Sequence, residues 1–338
     1  MSIYLLISFT TERQRSHKVV LTSVKTKDNQ PVIPSVRVPV IKQRVSADNA
    51  IPMLIRQLFD LDLSSLLELS EQAATEALAL NPVTTMASPL IITRSCSTFP
   101  PCRHCKWRYF IAARNESATE ERTYKELVDQ AHSLADKGIQ RAFFGTGWLG
   151  YQLPERILET IEKVCTEEPR LEYYGLFGAL DRQSHFDLAS AGLSGMLTSL
   201  ESPNEQVYRS FRPGGDSLHD RLASLTYIKE AGMKVWTGFL VGFGEDADDV
   251  AWGLDILRQI EPDSVSLLPF VPFEYTEMKQ HRPTDVEWLV KVNAAARIVL
   301  TPSTILFSDH YLDVDEHYAA ALGFNGSYAV GPFLHRTE

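Results

Sequence analysis

Apolar positions follow two rhythms along the chain. Between residues 54 and 69, Leu54, Leu58, Leu61 and the leucines from Leu63 to Leu69 recur near a 3.6-residue period with acidic residues between them. That spacing predicts helix. Residues 70–80 continue it, and Asn81-Pro82 ends it. From residue 90 onward, short β-prone runs alternate with long amphipathic segments. The runs are 90–93, 141–144, 172–176, 195–200, 235–241, 264–268, 304–307 and 327–330. The segments between them are 120–137, 154–166, 183–191, 217–231, 246–259, 284–300 and 315–322. Strands separated by helices predict parallel βαβ units. Eight such strands match a (β/α)8 TIM-type barrel, an α/β fold. An open doubly wound sheet is the competing architecture, but no G-x-G-x-x-G follows the first strand, which weakens its dinucleotide-binding form.

The first 47 residues break the rhythm. Val19-Val20-Leu21 and residues 36–41 are β-prone but interrupted by Thr, Lys, Asn and Pro. The expected organisation is an N-terminal extension of unreadable role over 1–47, helices over 48–84 that pack on the barrel, and the barrel itself over 85–338.

Composition adds exclusions. Of 338 residues, 44% are hydrophobic and 22% charged, an ordinary globular balance. Lys and Arg number 33 against 43 Asp and Glu, for a net charge of -10. That is the wrong sign for a general nucleic-acid or anionic-membrane binder, whose phosphate contacts require cations. No apolar run approaches the ~18 residues of a membrane span. The apolar start, residues 3–9, lacks the basic flank of a signal peptide. The expectation is a cytoplasmic protein.

Cysteine changes the picture most. Three of the four, Cys96, Cys102 and Cys105, fall within ten residues directly after the first barrel strand, spaced C-x5-C-x2-C. Reduced thiols clustered this tightly suggest metal rather than disulfides. Loops at strand C-termini form the active face of such barrels. Three thiolates there can hold three irons of a [4Fe–4S] cube and leave the fourth open to a ligand. Structural zinc, completed by His104 or His132, is the alternative; no CxxC or HxxxH pair follows to supply the usual second half of a zinc site. The remaining Cys165, in Ile161-Glu162-Lys163-Val164-Cys165, reads as a small buried apolar residue.

The segment Arg94-Ser95-Cys96-Ser97-Thr98-Phe99-Pro100-Pro101-Cys102-Arg103-His104-Cys105 resembles the cluster loop of radical S-adenosylmethionine (SAM) enzymes. The common pattern there is C-x3-C-x2-C, so this loop carries two additional residues. The longer spacing resembles the HmdB-type radical SAM protein of the pathway to the iron–guanylylpyridinol cofactor of [Fe]-hydrogenase. Four further segments resemble the biotin-synthase and hydrogenase-maturase group in order: Leu200 to Tyr208 with Arg212-Pro213-Gly214 and Asp220-Arg221-Leu222; Gly238 to Glu245; Pro269 to Phe273; and Arg297-Ile298-Val299. The resemblance spans about residues 50–335.

It implies roles. Cys96, Cys102 and Cys105 would ligate the cluster, whose open iron takes the amino and carboxylate groups of SAM. Reductive cleavage of the sulfonium then gives methionine and a 5′-deoxyadenosyl radical. His104 stands where the family places a residue with backbone near adenine; a surface histidine is the plain alternative. Gly145-Thr146-Gly147 resembles the segment that approaches the SAM amino group, or is a simple βα turn. Glu201 would contact ribose hydroxyls or the SAM amine, or start a helix. Arg221 would pair with the SAM carboxylate through its fork, or with a neighbouring acid. Gly242, with Gly244, would let adenine lie against backbone, and Glu245 would contact cofactor or begin the next helix. Tyr173, Tyr174, Trp148 and His310 would line the substrate cavity or pack it. No individual catalytic residue is identified.

The resemblance therefore implies a radical SAM enzyme acting on a small molecule, in the HmdB-type reading a pyridinol precursor, with an electron donor such as ferredoxin or flavodoxin. It implies no nucleic-acid or membrane partner. An [FeFe]-hydrogenase maturase type or a lysine mutase of pyrrolysine synthesis is the nearer alternative. Biotin synthase is disfavoured, because its auxiliary [2Fe–2S] cluster needs more cysteines than Cys165. A zinc-stabilised, non-catalytic binding barrel is the alternative of a different class.

Overall fold

The structure is a computed structural model that describes residues 50–105, 121–308 and 316–329. Side chains alternate across each strand, and in this chain the two sets separate into two layers. Leu90, Ala142, Phe144, Met196, Val235, Val265 and Leu306 face outward into the cluster shared with the helices. Ala87, Phe143, Tyr174, Trp236, Phe307 and Tyr328 form a second cluster inside. That pattern closes eight parallel strands into a barrel in sequence order. The strands are β1 (Thr85–Ile91), β2 (Arg141–Gly145), β3 (Glu172–Leu176), β4 (Gly195–Leu197), β5 (Lys234–Val241), β6 (Ser264–Pro269), β7 (Ile305–Phe307) and β8 (Gly326–Tyr328). The seam joins β8 to β1 with Met86 opposite Ser327. The expected (β/α)8 TIM-type fold is therefore the observed one.

Outside lie α1 (Ala50–Leu58), α2 (Leu63–Leu80), α3 (Tyr124–Asp136), α4 (Glu155–Glu167), α5 (Arg182–Ser190), α6 (Glu205–Phe211), α7 (Leu218–Glu230), α8 (Ala247–Ile260), α9 (Val286–Val299) and α10 (Glu316–Leu322). Local chemistry starts them: reciprocal capping boxes of Thr123 with Glu126, Ser217 with Asp220 and Asp246 with Asp249 open α3, α7 and α8. Asp62 caps α2, whose Leu66 and Leu67 pack on Val290 and Ala294 of α9 and on Leu322 of α10. Among the described residues no helix is long and apolar enough to cross a membrane.

The interior cluster plugs one end of the barrel. Trp236 stacks on Phe307 with centroids 4.1 Å apart and meets Phe143 and Tyr174 edge-on. Its Nε1 donates to Ser266 Oγ at 2.8 Å, and that oxygen also bonds the Tyr328 hydroxyl at 2.9 Å. Below the rings, Arg141 pairs with Glu172 at 2.9 Å and donates to Ser264 Oγ at 2.8 Å, while Lys234 completes the pair on Glu172.

Three elements depart from expectation. β1 begins at Thr85 rather than 90. Pro89, which has no N–H and so argues against a strand interior, sits opposite Phe143, and its carbonyl accepts from Gln130 Nε2 at 3.0 Å. β4 ends at Leu197, and the chain turns through Glu201 at φ 61. Helix α6 was not expected: two turns carry too little apolar period to read, and Asn204 starts it by accepting from the N–H groups of Gln206 and Val207. The expected extension over 1–47 lies outside the described residues.

Candidate active site at the barrel mouth

The loop after β1 brings the three cysteines over the open end of the barrel. Cys102 is buried; Cys96 and Cys105 are half-buried. Two neighbouring loops grip this segment from opposite sides. On one side, Ser97 N–H donates to Trp148 O at 2.7 Å, and a Cβ on Gly147 would strike Ser95 O and the Cys96 side chain. On the other, Arg103 N–H donates to Phe211 O at 2.8 Å, and a Cβ on Gly214 would strike the carbonyls of Phe99 and Pro100. Gly215, at φ 79, lies beside Thr98. Glycine is required at 147 and 214 because the backbones meet there, and at 215 because the backbone is left-handed.

A cavity of about 290 Å³ opens under the loop, lined by all three cysteines together with His104, Thr146, Gly147, Glu201, Arg212 and Arg221. Its walls are otherwise mainly apolar, including Trp148, Phe177, Leu197 and Leu268, and Phe143 and Tyr328 of the plug reach into it.

The charges at the mouth form one network. Asp216, fully buried, accepts from Ala179 N–H at 2.8 Å, from Arg212 Nε at 2.8 Å and from Arg212 Nη2, and pairs with Arg221 Nε at 3.0 Å. Burial would raise its carboxyl, but Arg221 and Arg212 hold it below the usual range. Arg221 continues to Glu201 at 3.1 Å, to Ser199 O and to the Tyr208 hydroxyl at 3.1 Å. Arg212 Nη1 donates to Cys102 Sγ at 3.3 Å.

Most of the expected residues come together. Cys96, Cys102, Cys105, His104, Thr146, Gly147, Glu201 and Arg221 all line the cavity. Arg221 does so with its guanidinium already occupied by Asp216 and Glu201. His104 is no surface residue: its ring meets Phe211 and Phe243 edge-on at 4.9 and 5.3 Å. Burial pushes its imidazole down to about 4. Gly145 and Gly242 are not among the lining residues. Gly145 is a β2 residue whose carbonyl accepts from Ile92 N–H at 2.9 Å, and Gly242, at φ 105, faces the Thr284 side chain. The buried Glu245 turns back to accept from the N–H groups of Gly242 and Phe243. Tyr173 packs between barrel and helices, Tyr174 belongs to the plug, and Trp148 lines the cavity. Cys165, on α4, packs against Gly192. His310 lies outside the described residues. Sequence reasoning quoted Tyr208 and Arg212-Pro213-Gly214 without giving Tyr208 or Arg212 a role, and it missed Asp216; the adjacent Gly214-Gly215 pair was the available signal of a close backbone approach.

The residues present fit an iron–sulfur cluster with an amino-acid-bearing ligand. Thiolate is the soft donor such clusters take. Burial pushes the Cys102 thiol up to about 12, against the pull of Arg212, so binding there requires a metal to displace the proton. Gly147 seats the cysteine loop, with Ser95 O and the Cys96 side chain packed where its side chain would stand, and His104 Nδ1 is a shielded polar atom without a partner among the described residues. Among those residues no three His, Cys, Asp or Glu side chains are placed to hold a single metal ion; a cube offers separate corners instead.

Comparison with known proteins agrees. The model of the radical SAM superfamily matches residues 90–252. Biotin synthase of Acinetobacter baumannii (strain AYE) is 27% identical over 288 residues, covering 83% of this chain and 85% of that protein, and the Acinetobacter baylyi enzyme is 26% identical over 287. Among solved structures, methylornithine synthase (PylB) superposes with a TM-score of 0.71 at 20% identity, covering 85% of this chain and 84% of that one. The [FeFe]-hydrogenase maturase HydG of Carboxydothermus hydrogenoformans superposes with a TM-score of 0.65 at 19% identity, covering 85% and 73%. At these identities the last two share the fold. Taken with the thiol-lined mouth, the matches in sequence support a radical SAM enzyme that uses a [4Fe–4S] cluster and S-adenosylmethionine.

Proposed function

We propose that Cys96, Cys102 and Cys105 hold the cluster and that Glu201 and Arg221 bind the amino-acid end of SAM, in an enzyme that helps assemble the iron–guanylylpyridinol cofactor of [Fe]-hydrogenase. The observation that carries the site is the convergence of three thiols from one loop and the Glu201–Arg221 pair on a single cavity. When bound, the cluster and SAM supply one-electron cleavage of the sulfonium to a 5′-deoxyadenosyl radical. The chain's own groups do the rest. Thr146, which lines the cavity, receives the amine, Arg221 orients the carboxylate, and the apolar walls keep water from a reactive intermediate. Reducing electrons come from a ferredoxin- or flavodoxin-type donor.

The cofactor-assembly reading rests on the five-residue spacing of Cys96 and Cys102, which resembles the HmdB type. It is also supported by the place of the fourth cysteine. Cys165 packs on an outer helix, away from the interior where a second cluster would have to bind, which disfavours a biotin-synthase activity.

The test is anaerobic incubation of the reconstituted enzyme with SAM, dithionite and candidate pyridinol precursors, with L-lysine and L-tyrosine as parallel arms. The expected result is 5′-deoxyadenosine together with a mass change in a pyridinol only. Turnover of an amino acid instead overturns the cofactor-assembly reading. Cys102→Ala is expected to lose iron–sulfur absorbance and SAM cleavage entirely; a variant that keeps both overturns the ligand assignment.

A further inference from the structure

Arg212 lines the cavity and links a cysteine of the loop to the charged network by a side-chain hydrogen bond. Its guanidinium is almost wholly buried, its side chain 8% exposed. One arm, Nη1, reaches Cys102 Sγ at 3.3 Å; the other edge, Nε and Nη2, grips Asp216. Asp216 in turn holds Arg221, which holds Glu201. Five side chains thus run without a gap from a sulfur to the two groups that face the ligand pocket. Other groups meet at the same hub: Asp216 also accepts from Ala179 N–H, and the single Tyr208 hydroxyl proton is shared between the Asp216 carboxylate at 3.3 Å and its backbone carbonyl at 3.0 Å. A second, independent contact ties the same elements together, because Gly214 lies against the Phe99 and Pro100 carbonyls of the cysteine loop.

We propose that Arg212 and Asp216 are positioning residues that couple occupancy of the Glu201–Arg221 pocket to the electronic state of the sulfur on Cys102. This rests on the proposed ligand role of Cys102. The physical basis is direct. A hydrogen bond and a positive charge at a ligating sulfur stabilise the reduced cluster and raise its potential. Arg212 supplies both, and its geometry is set by a carboxylate that it shares with Arg221. A ligand carboxylate that draws Arg221 toward the cavity changes Arg221's claim on Asp216. Asp216 then changes its grip on Arg212, and the donor at Cys102 moves with it. Two arginines on one buried carboxylate make the three groups a single electrostatic unit.

The experiment is a reductive titration of the reconstituted enzyme followed by electron paramagnetic resonance, with and without SAM, on wild type, Arg212→Gln and Arg212→Lys. SAM affinity is measured alongside by equilibrium dialysis. Arg212→Gln leaves Asp216 paired with Arg221. Its cluster is expected to titrate at a more negative potential than wild type without SAM, and to lose at least half of the SAM-induced shift in potential at an unchanged iron content. Its SAM affinity falls about threefold to tenfold. Arg212→Lys keeps the charge but not the fork; it is expected to recover the resting potential in part and the SAM-induced shift not at all. A wild-type potential and shift in a fully loaded Arg212→Gln overturns the proposal. Should Arg212→Gln hold no cluster, a wild-type SAM-induced shift in Arg212→Lys overturns it equally. Iron content of Cys102→Ala reports the ligand assignment separately, so a failure of that assignment is distinguishable from a failure of the coupling.

Discussion

The two ends of the barrel solve opposite problems with the same strands. At the plugged end, volume does the work: Trp236, Phe307, Phe143, Tyr174 and Tyr328 fill the interior with rings, and Arg141, Glu172 and Lys234 close it with direct ion pairs. At the mouth, volume is withheld. Glycines at 147, 214 and 215 stand where side chains would collide, Glu201 holds a left-handed φ of 61, and His104 keeps a shielded nitrogen without a partner among the described residues. Left-handed backbone at a non-glycine residue costs about 1–3 kcal/mol. It sits at the mouth, beside the pair proposed to bind SAM. The lesson is a division of labour: one end stabilises the barrel, and the other spends part of that stability on holding a cavity open.

Substitutions can test the division. The largest effect on stability is expected from Trp236→Ala, which removes the central ring of the plug. Truncation of a fully buried aromatic costs about 3–5 kcal/mol, readable as a lowered midpoint in urea unfolding. Iron content per folded chain is expected to stay at the wild-type level; a parallel loss of iron would mean that the two ends are not separable. Gly214→Ala is the converse experiment. Its methyl must displace the Phe99 or Pro100 carbonyl, an overpacking worth about 1–3 kcal/mol. Because the displaced backbone carries the cysteines, iron–sulfur absorbance is expected to fall further than stability does. Glu201→Asn is the finest probe. Asparagine tolerates a left-handed backbone, and Arg221 keeps Asp216, so the unfolding midpoint is expected to stay within about 1 kcal/mol of wild type. SAM affinity is expected to drop by about tenfold, or ~1.4 kcal/mol. Unchanged SAM affinity would remove Glu201 from the pocket's function.

How far this was legible depended on the range of the interaction. The run over 172–176 is β3 to the residue, and α4 and α7 begin and end within a residue of the amphipathic segments, because period and caps are local. β1 was half-hidden by Pro89, and α6 was too short for a period. The thiols were legible from spacing. Thr146, Gly147, Glu201 and Arg221 were legible only through resemblance to a family, which also pointed to Gly145 and Gly242, residues whose contacts lie in the strand and the turn. The Arg212–Cys102 contact was out of reach, since it joins residues 110 positions apart and leaves no periodic trace.

The glycine at 214 also bears on how such a loop can change over generations. Its bare face is matched to the carbonyls of Phe99 and Pro100, two of the five residues between Cys96 and Cys102. Shortening that spacer would leave a void above Gly214, while replacing Gly214 first would drive the spacer off its seat. Spacer length and glycine are therefore locked as an epistatic pair, and a lineage crossing between the short and long spacings must alter both before either change is tolerated.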